Sequence, residues 1–224
     1  NLQRQVIHGS AWIGRSKAQS AAARIADLNP HCAVEVHEQM LSIDNALALI
    51  GPYDLVCDGT DNFPSRYLIN DACVLLGKPL VYGSVQRFDG QVTVFNRTTA
   101  SPNYRDLLPE PPPPGAVPSC SEAGVMGVMP GLIGVMQATE AIKLITGVGS
   151  CLDGRLLGVD AVTMRFRELT LKVDPSRAQI SNLIDYREFC RSEPSRMDRI
   201  NVTALNALLD SAAGQVATSD VRQT

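Results

Sequence analysis

The sequence has 224 residues, of which 45% are apolar and 19% are charged, and its formal net charge is −3. This length predicts one large domain plus a small further unit, and the mixed charges give no basic patch for nucleic acid. The best candidate for a membrane span, residues 123–148, is broken by Pro130 and carries Glu140 and Lys143, so no membrane span is predicted.

Predicted strands and helices alternate along the first 85 residues. In chain order they are a helix at 16–28, a strand at 33–39, a helix at 43–51, a strand within 53–62, a helix at 64–77, and strands at 78–85 and 91–96. Asn29-Pro30 ends the first helix, and Asp89-Gly90 is a turn dipeptide that would join the last two strands. This order predicts an α/β fold with a Rossmann-like, mostly parallel sheet and flanking helices.

The second half of the chain begins with a proline-rich segment, residues 109–120 (PEPPPPGAVPSC), and a long helix dotted with glycine. Strands at 154–162 and 166–173 should extend the sheet in antiparallel fashion. We therefore place one domain at 1–175, a linker without periodicity at 176–200, and the beginning of a second α/β unit at 201–224. The prolines favour a stiff, extended arm over an inert linker.

Two carboxylates follow a predicted strand in CDGTDN (57–62). Ligands of open α/β sheets bind at the carboxyl ends of strands, so Asp58 or Asp61 can hold Mg²⁺ beside nucleotide phosphates. The alternative is that Asp61 and Asn62 only cap the following helix. Taken alone, the motif favours the cap.

Cationic residues stand before the first helix, in NLQRQ (1–5) and GRSK (14–17). Arg4 and Lys17 together can neutralise a triphosphate, because the guanidinium forks onto phosphate and the ammonium adds a point charge. The alternative is ordinary solvated surface charge, and we assign that to Arg15.

Cys120 lies in SCSE (119–122), which fits a capping box with Ser119 as N-cap and Glu122 at the third helical position. A thiol at a helix N-terminus has its thiolate favoured and becomes a better nucleophile. A solvent-facing cysteine without a role is the open alternative.

The other cysteines are scattered, and no two of the six form a CxxC pair. This usage is typical of a reducing, cytoplasmic setting. Cys57 and Cys73 lie in apolar segments, and we predict that both are core residues. In the glycine-dotted helix we predict no catalytic residue, although its close-approach glycines suit a dimer interface.

Four stretches in order resemble one family: NLQRQ, GRSKAQSA, CDGTDNFPSRYLIND, and PPPPGAVPSCSEAGVMG followed by QATEAIK. They are similar to the adenylyltransferases that activate ubiquitin-like sulfur carriers, such as the molybdopterin-synthase and thiamine sulfur-carrier activating enzymes. The resemblance runs from residue 1 to about residue 175.

The resemblance implies that the carrier's C-terminal Gly-Gly carboxylate attacks the α-phosphate of ATP to give an acyl-adenylate. It implies that Asn1, Arg4 and Lys17 contact ATP, that Asp61 holds Mg²⁺, and that Asn62 lies in the nucleotide pocket. Cys120 matches the family's crossover-loop cysteine, which forms a thioester or acyl disulfide in several members. A homodimer is also implied.

The chain departs from the family pattern in two places. The two CxxC pairs that bind a structural zinc in most relatives correspond to PNYRD (102–106) and PSRAQI (175–180), which hold Asn103, Asp106, Arg177 and Ile180. These residues cannot build a thiolate zinc site, so no zinc is predicted. The glycine-rich nucleotide loop and the ribose-binding acid should lie upstream of Asn1, so this chain alone is expected to bind ATP poorly and to be inactive.

The C-terminal stretch VTALNALLDSAAGQVATSDVRQT (202–224) resembles the opening helix and strand of a rhodanese-like domain, with Asp220-Val221-Arg222 after the strand. The resemblance implies a fusion of carrier activation to persulfide sulfur delivery, and favours molybdenum cofactor biosynthesis over thiamine or tRNA thiolation. Two other functions stay open from the residues: a nicotinamide-dependent oxidoreductase, for which no catalytic Tyr/Lys or His set is visible, and a non-catalytic carrier-binding or dimer scaffold.

Overall fold

A computed structural model of the chain describes residues 2–113 and 123–191. It contains a 3-10 turn at Ser10–Trp12 and these elements: α1 Lys17–Leu28, α2 Ala46–Ile50, β1 Val56–Asp58, α3 Phe63–Leu76, β2 Leu80–Gln86, β3 Asp89–Phe95, α4 Tyr104–Leu107, α5 Met129–Thr146, β4 Arg155–Asp160, β5 Arg165–Thr170 and α6 Tyr186–Phe189. No helix of the described residues is long and apolar enough to cross a membrane.

The five strands form one sheet in the order β1-β2-β3-β4-β5. β1 and β2 are parallel, and each later neighbour pairs antiparallel. The predicted α/β fold and its antiparallel extension are confirmed. The parallel part is smaller than predicted, with one parallel pair among the described strands.

Two local predictions were wrong. Residues 33–39 form no strand, because no described strand lies beside them to accept their backbone hydrogen bonds. Asp89 and Gly90 are paired residues of β3, and the hairpin turn lies two residues earlier, at Arg87 and Phe88, where Arg87 takes a positive φ of 51°. Asp89 pairs with Gln86, so only two residues separate the strands.

The helix ends follow from local residues. Ser16 caps α1 by accepting from the Gln19 amide, and Asn62 caps α3 by accepting from the Ser65 amide. Pro64 lies in the first turn of α3, where its missing amide hydrogen is not needed. Gly77 ends α3 in the left-handed conformation, with φ 63°.

Apolar side chains cover both faces of the sheet. Val94 and Phe95 are neighbours on β3 but belong to different core clusters, since adjacent strand residues point to opposite faces. One cluster joins α2 and α3 to Leu80 and Phe95, and the other joins β3 to Met129 and Ile133 of α5. The helix α5 therefore lies on β2 and β3, across the sheet from α3.

The two cysteines predicted as core residues differ. Cys73 is fully buried, as predicted, and burial raises the pKa of its thiol to about 12. The prediction for Cys57 was wrong, because its side chain points to the exposed side of the short strand β1.

Part of the segment predicted as a linker packs on the domain. Tyr186 of α6 is buried, and its hydroxyl donates to Asp71 of α3 over 2.8 Å. The domain boundary predicted after residue 175 stays a prediction, and the boundary after residue 200 and the unit predicted at 201–224 lie outside the described residues.

Candidate active site

An open pocket of about 140 Å³ lies beyond the carboxyl end of β1, beside β2 and the first turns of α5. This is the edge at which open α/β sheets bind ligands. Its lining consists of Gly59, Thr60, Asp61, Arg66, Gly83, Ser84, Val85, Pro130, Ile133 and Gln137.

Asp61 lies in the pocket between two residues whose positions are fixed by hydrogen bonds. The Asp58 Oδ1 accepts from the Thr60 amide over 2.8 Å, and the Asn62 Oδ1 accepts from the Ser65 amide over 2.9 Å. Asp61 itself is exposed, and its carboxylate has no hydrogen-bond or ion-pair partner among the described residues. It is therefore available to a ligand.

Arg66 projects from the first turn of α3 back over this turn. Its Nη2 donates to the Thr60 carbonyl oxygen over 3.1 Å, and its guanidinium carbon lies 5.5 Å from the centroid of the Tyr82 ring. The Nη1 is 3.5 Å from the Tyr82 hydroxyl, at the outer limit of a hydrogen bond. Arg66 places a cationic group in the pocket wall beside Asp61.

Gln137 of α5 forms the wall opposite the turn. Its Nε2 donates to the carbonyl oxygens of Asp58, over 2.8 Å, and Val81, over 3.2 Å. A β-carbon at Gly83 would overlap the Gln137 Cδ, so the amide packs directly on the backbone of β2. The helix α5 is thereby held against the end of β1 and the neighbouring backbone of β2.

Asp58, the second carboxylate of the motif, is buried and points away from the solvent. Burial raises its pKa, while the hydrogen bond from the Thr60 amide and the Arg66 charge act in the opposite direction. Its Oδ2 has no hydrogen-bond partner among the described residues. Asp58 does not line the pocket, so of the two acids Asp61 is the one a ligand can reach.

The donor set fits Mg²⁺ only in company with a nucleotide. No group of three His, Cys, Asp or Glu side chains that could hold a metal ion occurs within residues 2–113 and 123–191. Asp61 offers one carboxylate, and Mg²⁺ commonly binds through one or two carboxylates plus substrate phosphates and water.

The other predicted site residues fall in three places. Arg4 lies next to Gln3, and Gln3 packs closely on Gly127, which precedes α5. A β-carbon added at Gly127 would lie 2.6 Å from the Gln3 carbonyl oxygen. Lys17 opens α1 with an exposed side chain, and its contact with the pocket stays a prediction. Asn1 and Cys120, with the capping box around Cys120, lie outside the described residues.

Two pocket residues whose long polar side chains bond the surrounding backbone, Arg66 and Gln137, were not predicted from the sequence. Arg66 is part of the PSRYL stretch, and nothing in the neighbouring sequence indicates that its side chain points back to the Thr60 carbonyl oxygen. Gln137 belongs to the QATEAIK stretch on a helix for which no catalytic residue was predicted. A polar side chain on the otherwise apolar, sheet-facing side of α5 was the available signal.

At the positions that hold zinc ligands in most relatives, side chains bond to each other. Asn103 caps α4 in a capping box with Asp106. The buried Asp106 carboxylate accepts from the Asp174 amide over 2.8 Å and forms an ion pair with Arg177. The segments 102–106 and 174–177 are thus joined without thiolates.

The profile described as the ThiF family matches residues 1–179. A Mycobacterium tuberculosis protein named "Probable adenylyltransferase/sulfurtransferase MoeZ" is 55% identical over 193 residues, which cover 85% of this chain and 49% of that protein. The "Sulfur carrier protein adenylyltransferase" of Thermus thermophilus is 48% identical over 200 residues, covering 85% and 74%. A Drosophila grimshawi protein named "Adenylyltransferase and sulfurtransferase MOCS3" is 48% identical over 197 residues, covering 85% and 44%.

The chain therefore spans about half the length of several curated relatives that it matches. Solved structures share the fold at low identity. The structure of E. coli MccB with ATP has a TM-score of 0.66 at 13% identity, covering 81% of this chain and 55% of that one. PaaA has a TM-score of 0.60 at 16% identity, covering 76% and 60%.

Proposed function

The chain belongs to the ThiF family, and from this premise we propose that the full-length protein adenylates the C-terminal glycine of a ubiquitin-like sulfur-carrier protein. The names of the relatives support the reaction class, because the Thermus protein is called a sulfur carrier protein adenylyltransferase. The observation that carries the proposal is the pocket at the end of β1, which presents the free carboxylate of Asp61 beside a guanidinium.

The reaction is a displacement at phosphorus. A carboxylate oxygen of the carrier forms a bond to the α-phosphorus of ATP, the bond to the bridging oxygen breaks, and pyrophosphate leaves with that electron pair. Mg²⁺, when bound with the nucleotide, neutralises phosphate charge. The protein's part is to position the reactants and to place cations where negative charge develops.

Each predicted site residue has a part in this reaction. Asp61 holds Mg²⁺, and Arg4 and Lys17 contact the phosphates of ATP with Asn1. Asn62 borders the nucleotide while it caps α3, so that the cap and the binding role are compatible.

Pyrophosphate exchange tests this function directly. The full-length protein with a carrier ending in Gly-Gly should exchange labelled pyrophosphate into ATP, and Asp61→Ala should abolish the exchange. Asp44→Ala, which removes an exposed carboxylate outside the pocket lining, should leave exchange unchanged. The absence of exchange with every Gly-Gly carrier offered would refute the proposal.

Cys120 is assigned to a later step, in which its thiolate takes the carrier's acyl group from AMP. Cys120→Ala should therefore spare pyrophosphate exchange and block the covalent adduct of protein and carrier. Loss of exchange in this variant would contradict the assignment to a later step.

The pathway we propose is molybdenum cofactor biosynthesis, in the cytoplasm, with a rhodanese-like domain that begins near residue 201. Two of the relatives carry "sulfurtransferase" in their names, which supports a sulfur-delivery unit in those proteins. Thiamine or tRNA-thiolation carriers are the alternatives. Exchange rates measured with each purified carrier would rank the three.

We also propose that the protein is a homodimer, with α5 at the interface. Exposed apolar residues recur at helical spacing on its outer side, at Val128, Val135, Ile142 and Ile145. A β-carbon added at Gly131, between them, would meet no heavy atom of the described residues within 4 Å outside the helix's own backbone, which leaves room for a like helix. A stripe without charges suits a second copy of itself.

Light scattering on the full-length protein checks this assembly. Val135→Glu should convert the dimer to a monomer, because two carboxylates would meet at the interface. Val162→Glu is the matched control, since Val162 is equally exposed on the turn between β4 and β5. A Val135→Glu protein that stays dimeric would remove α5 from the interface.

A further inference from the structure

The turn that carries Asp61 is anchored through both backbone polar groups of Thr60. The Thr60 N–H donates to the Asp58 Oδ1, and the Thr60 carbonyl oxygen accepts from the Arg66 Nη2. Asn62, on the other side of Asp61, is held as the N-cap of α3. The backbone on both sides of the free carboxylate is therefore fixed.

Arg66 is itself held by a second element. Its guanidinium lies against the ring of Tyr82 on β2, and a cation over an aromatic ring is attracted to its face. The same side chain thus connects α3, the turn and β2. It contributes to the pocket lining together with Asp61.

This arrangement leaves buried polar atoms without partners among the described residues. They are the Asp58 Oδ2, the Thr60 Oγ1 and the Arg66 Nε. Each such atom costs about 1–3 kcal/mol when buried, and only the Arg66 Nε among them belongs to Arg66 itself. The turn beside Asp61 is therefore held in place at a cost in unpaired buried polar atoms.

We propose that Arg66 is a positioning residue that fixes the turn so that Asp61 meets the magnesium–nucleotide, an inference that rests on the proposed function. Arg66 acts through the Thr60 carbonyl oxygen and does not itself ligate the metal. Because groups that orient a metal ligand commonly contribute about 10- to 100-fold to metal affinity, Arg66→Met should weaken metal binding by that factor.

The test uses the full-length protein and reads out metal binding apart from turnover. Mn²⁺ bound with a non-hydrolysable ATP analogue is titrated by electron paramagnetic resonance, and hydrogen exchange is followed at residues 59–62. Arg66→Met should raise the Mn²⁺ dissociation constant about 10- to 100-fold and speed exchange of the Thr60–Asn62 amides. Tyr186→Phe is the control, because it removes a hydrogen bond to Asp71 of α3, and neither residue lines the pocket.

Two results would overturn the proposal. In the first, Arg66→Met lowers the melting temperature as Tyr186→Phe does, with Mn²⁺ affinity and turn protection unchanged. In the second, only the carrier's KM rises, which would make Arg66 a direct substrate ligand. A wild-type protein that binds Mn²⁺ with nucleotide but exchanges no pyrophosphate would refute the proposed function. The role of Arg66 would still be decided by comparing hydrogen exchange at residues 59–62 between the wild type and Arg66→Met.

Discussion

Replacing Arg105 by methionine removes the cation at the centre of a buried polar cluster. The Arg105 Nε and Nη2 donate to the two carboxylate oxygens of Asp71 over 3.0 and 2.7 Å. The guanidinium carbon lies 5.2 Å from the Tyr67 ring centroid and 5.0 Å from that of Phe189. Asp71 is 1% exposed, and the Tyr186 hydroxyl is another of its donors. The cluster joins α3, α4 and α6.

The expected loss is large because the carboxylate stays behind. Removing one partner of a buried ion pair costs about 3–5 kcal/mol, since the other charge is left uncompensated. In a protein of this size each kcal/mol shifts the melting temperature by about 2–4 °C, which gives a shift on the order of 10 °C. Tyr186→Phe removes one hydrogen bond to the charge and should cost about 1.5 kcal/mol.

Urea unfolding followed by circular dichroism measures both variants. Arg24→Met is the matched control, because Arg24 forms its ion pair with Asp27 on the exposed face of α1, and such pairs contribute about 0–1 kcal/mol. An Arg105→Met protein within about 1 kcal/mol of the control, with an unchanged slope, would refute the reasoning. It would mean that the ion pair of Arg105 with Asp71 contributes little to the stability of the protein.

Three other substitutions test the pH dependence of stability, the packing of α5 on β2, and the contact between the segments 102–106 and 174–177. Burial raises the folded pKa of Asp58 above its ordinary 3.8, so this group's stabilisation is full below that pH and is lost as pH rises through the folded pKa. Asp58→Asn should therefore gain stability relative to wild type as the pH of the thermal melts is raised above 3.8. Gly83→Ala should displace the Gln137 amide and lower the free energy of unfolding by about 1–3 kcal/mol, because two hydrogen bonds are lost. The loss should be smaller when Gln137 is already alanine, and urea unfolding of the double mutant measures this. Arg177→Met should leave the buried Asp106 carboxylate without its cation and lower the free energy of unfolding by about 3 kcal/mol. It should also speed hydrogen exchange of the Asp174 amide, which donates to Asp106, more than exchange of the α3 amides.

Features that depend on neighbours in the chain were predictable. The caps of α1 and α3 are a serine and an asparagine directly before helix-forming residues, and the prediction that Asn62 caps α3 is confirmed. The strand that ends at Asp58 was also predicted correctly, although it is shorter than the predicted segment. The prediction of a strand at 33–39 was wrong, because alternation of apolar and polar residues shows only that a segment can be extended. Whether it becomes a strand depends on a partner elsewhere.

The sequence by itself determined most of the helices and strands, the carboxylate at the end of β1 and the family resemblance, because each is encoded within a few consecutive residues. Only the tertiary structure decided which side chains meet. Gln137 reaches the carbonyl oxygen of a residue 79 positions away, and Arg177 pairs with a carboxylate 71 positions away. Such contacts depend on how helices pack on the sheet, and side-chain packing is not periodic along the chain. The pocket, and the contacts of Asp58 and Arg66 with Thr60 beside Asp61, could therefore be recognised only from the packing of α3 and α5 on the two faces of the sheet.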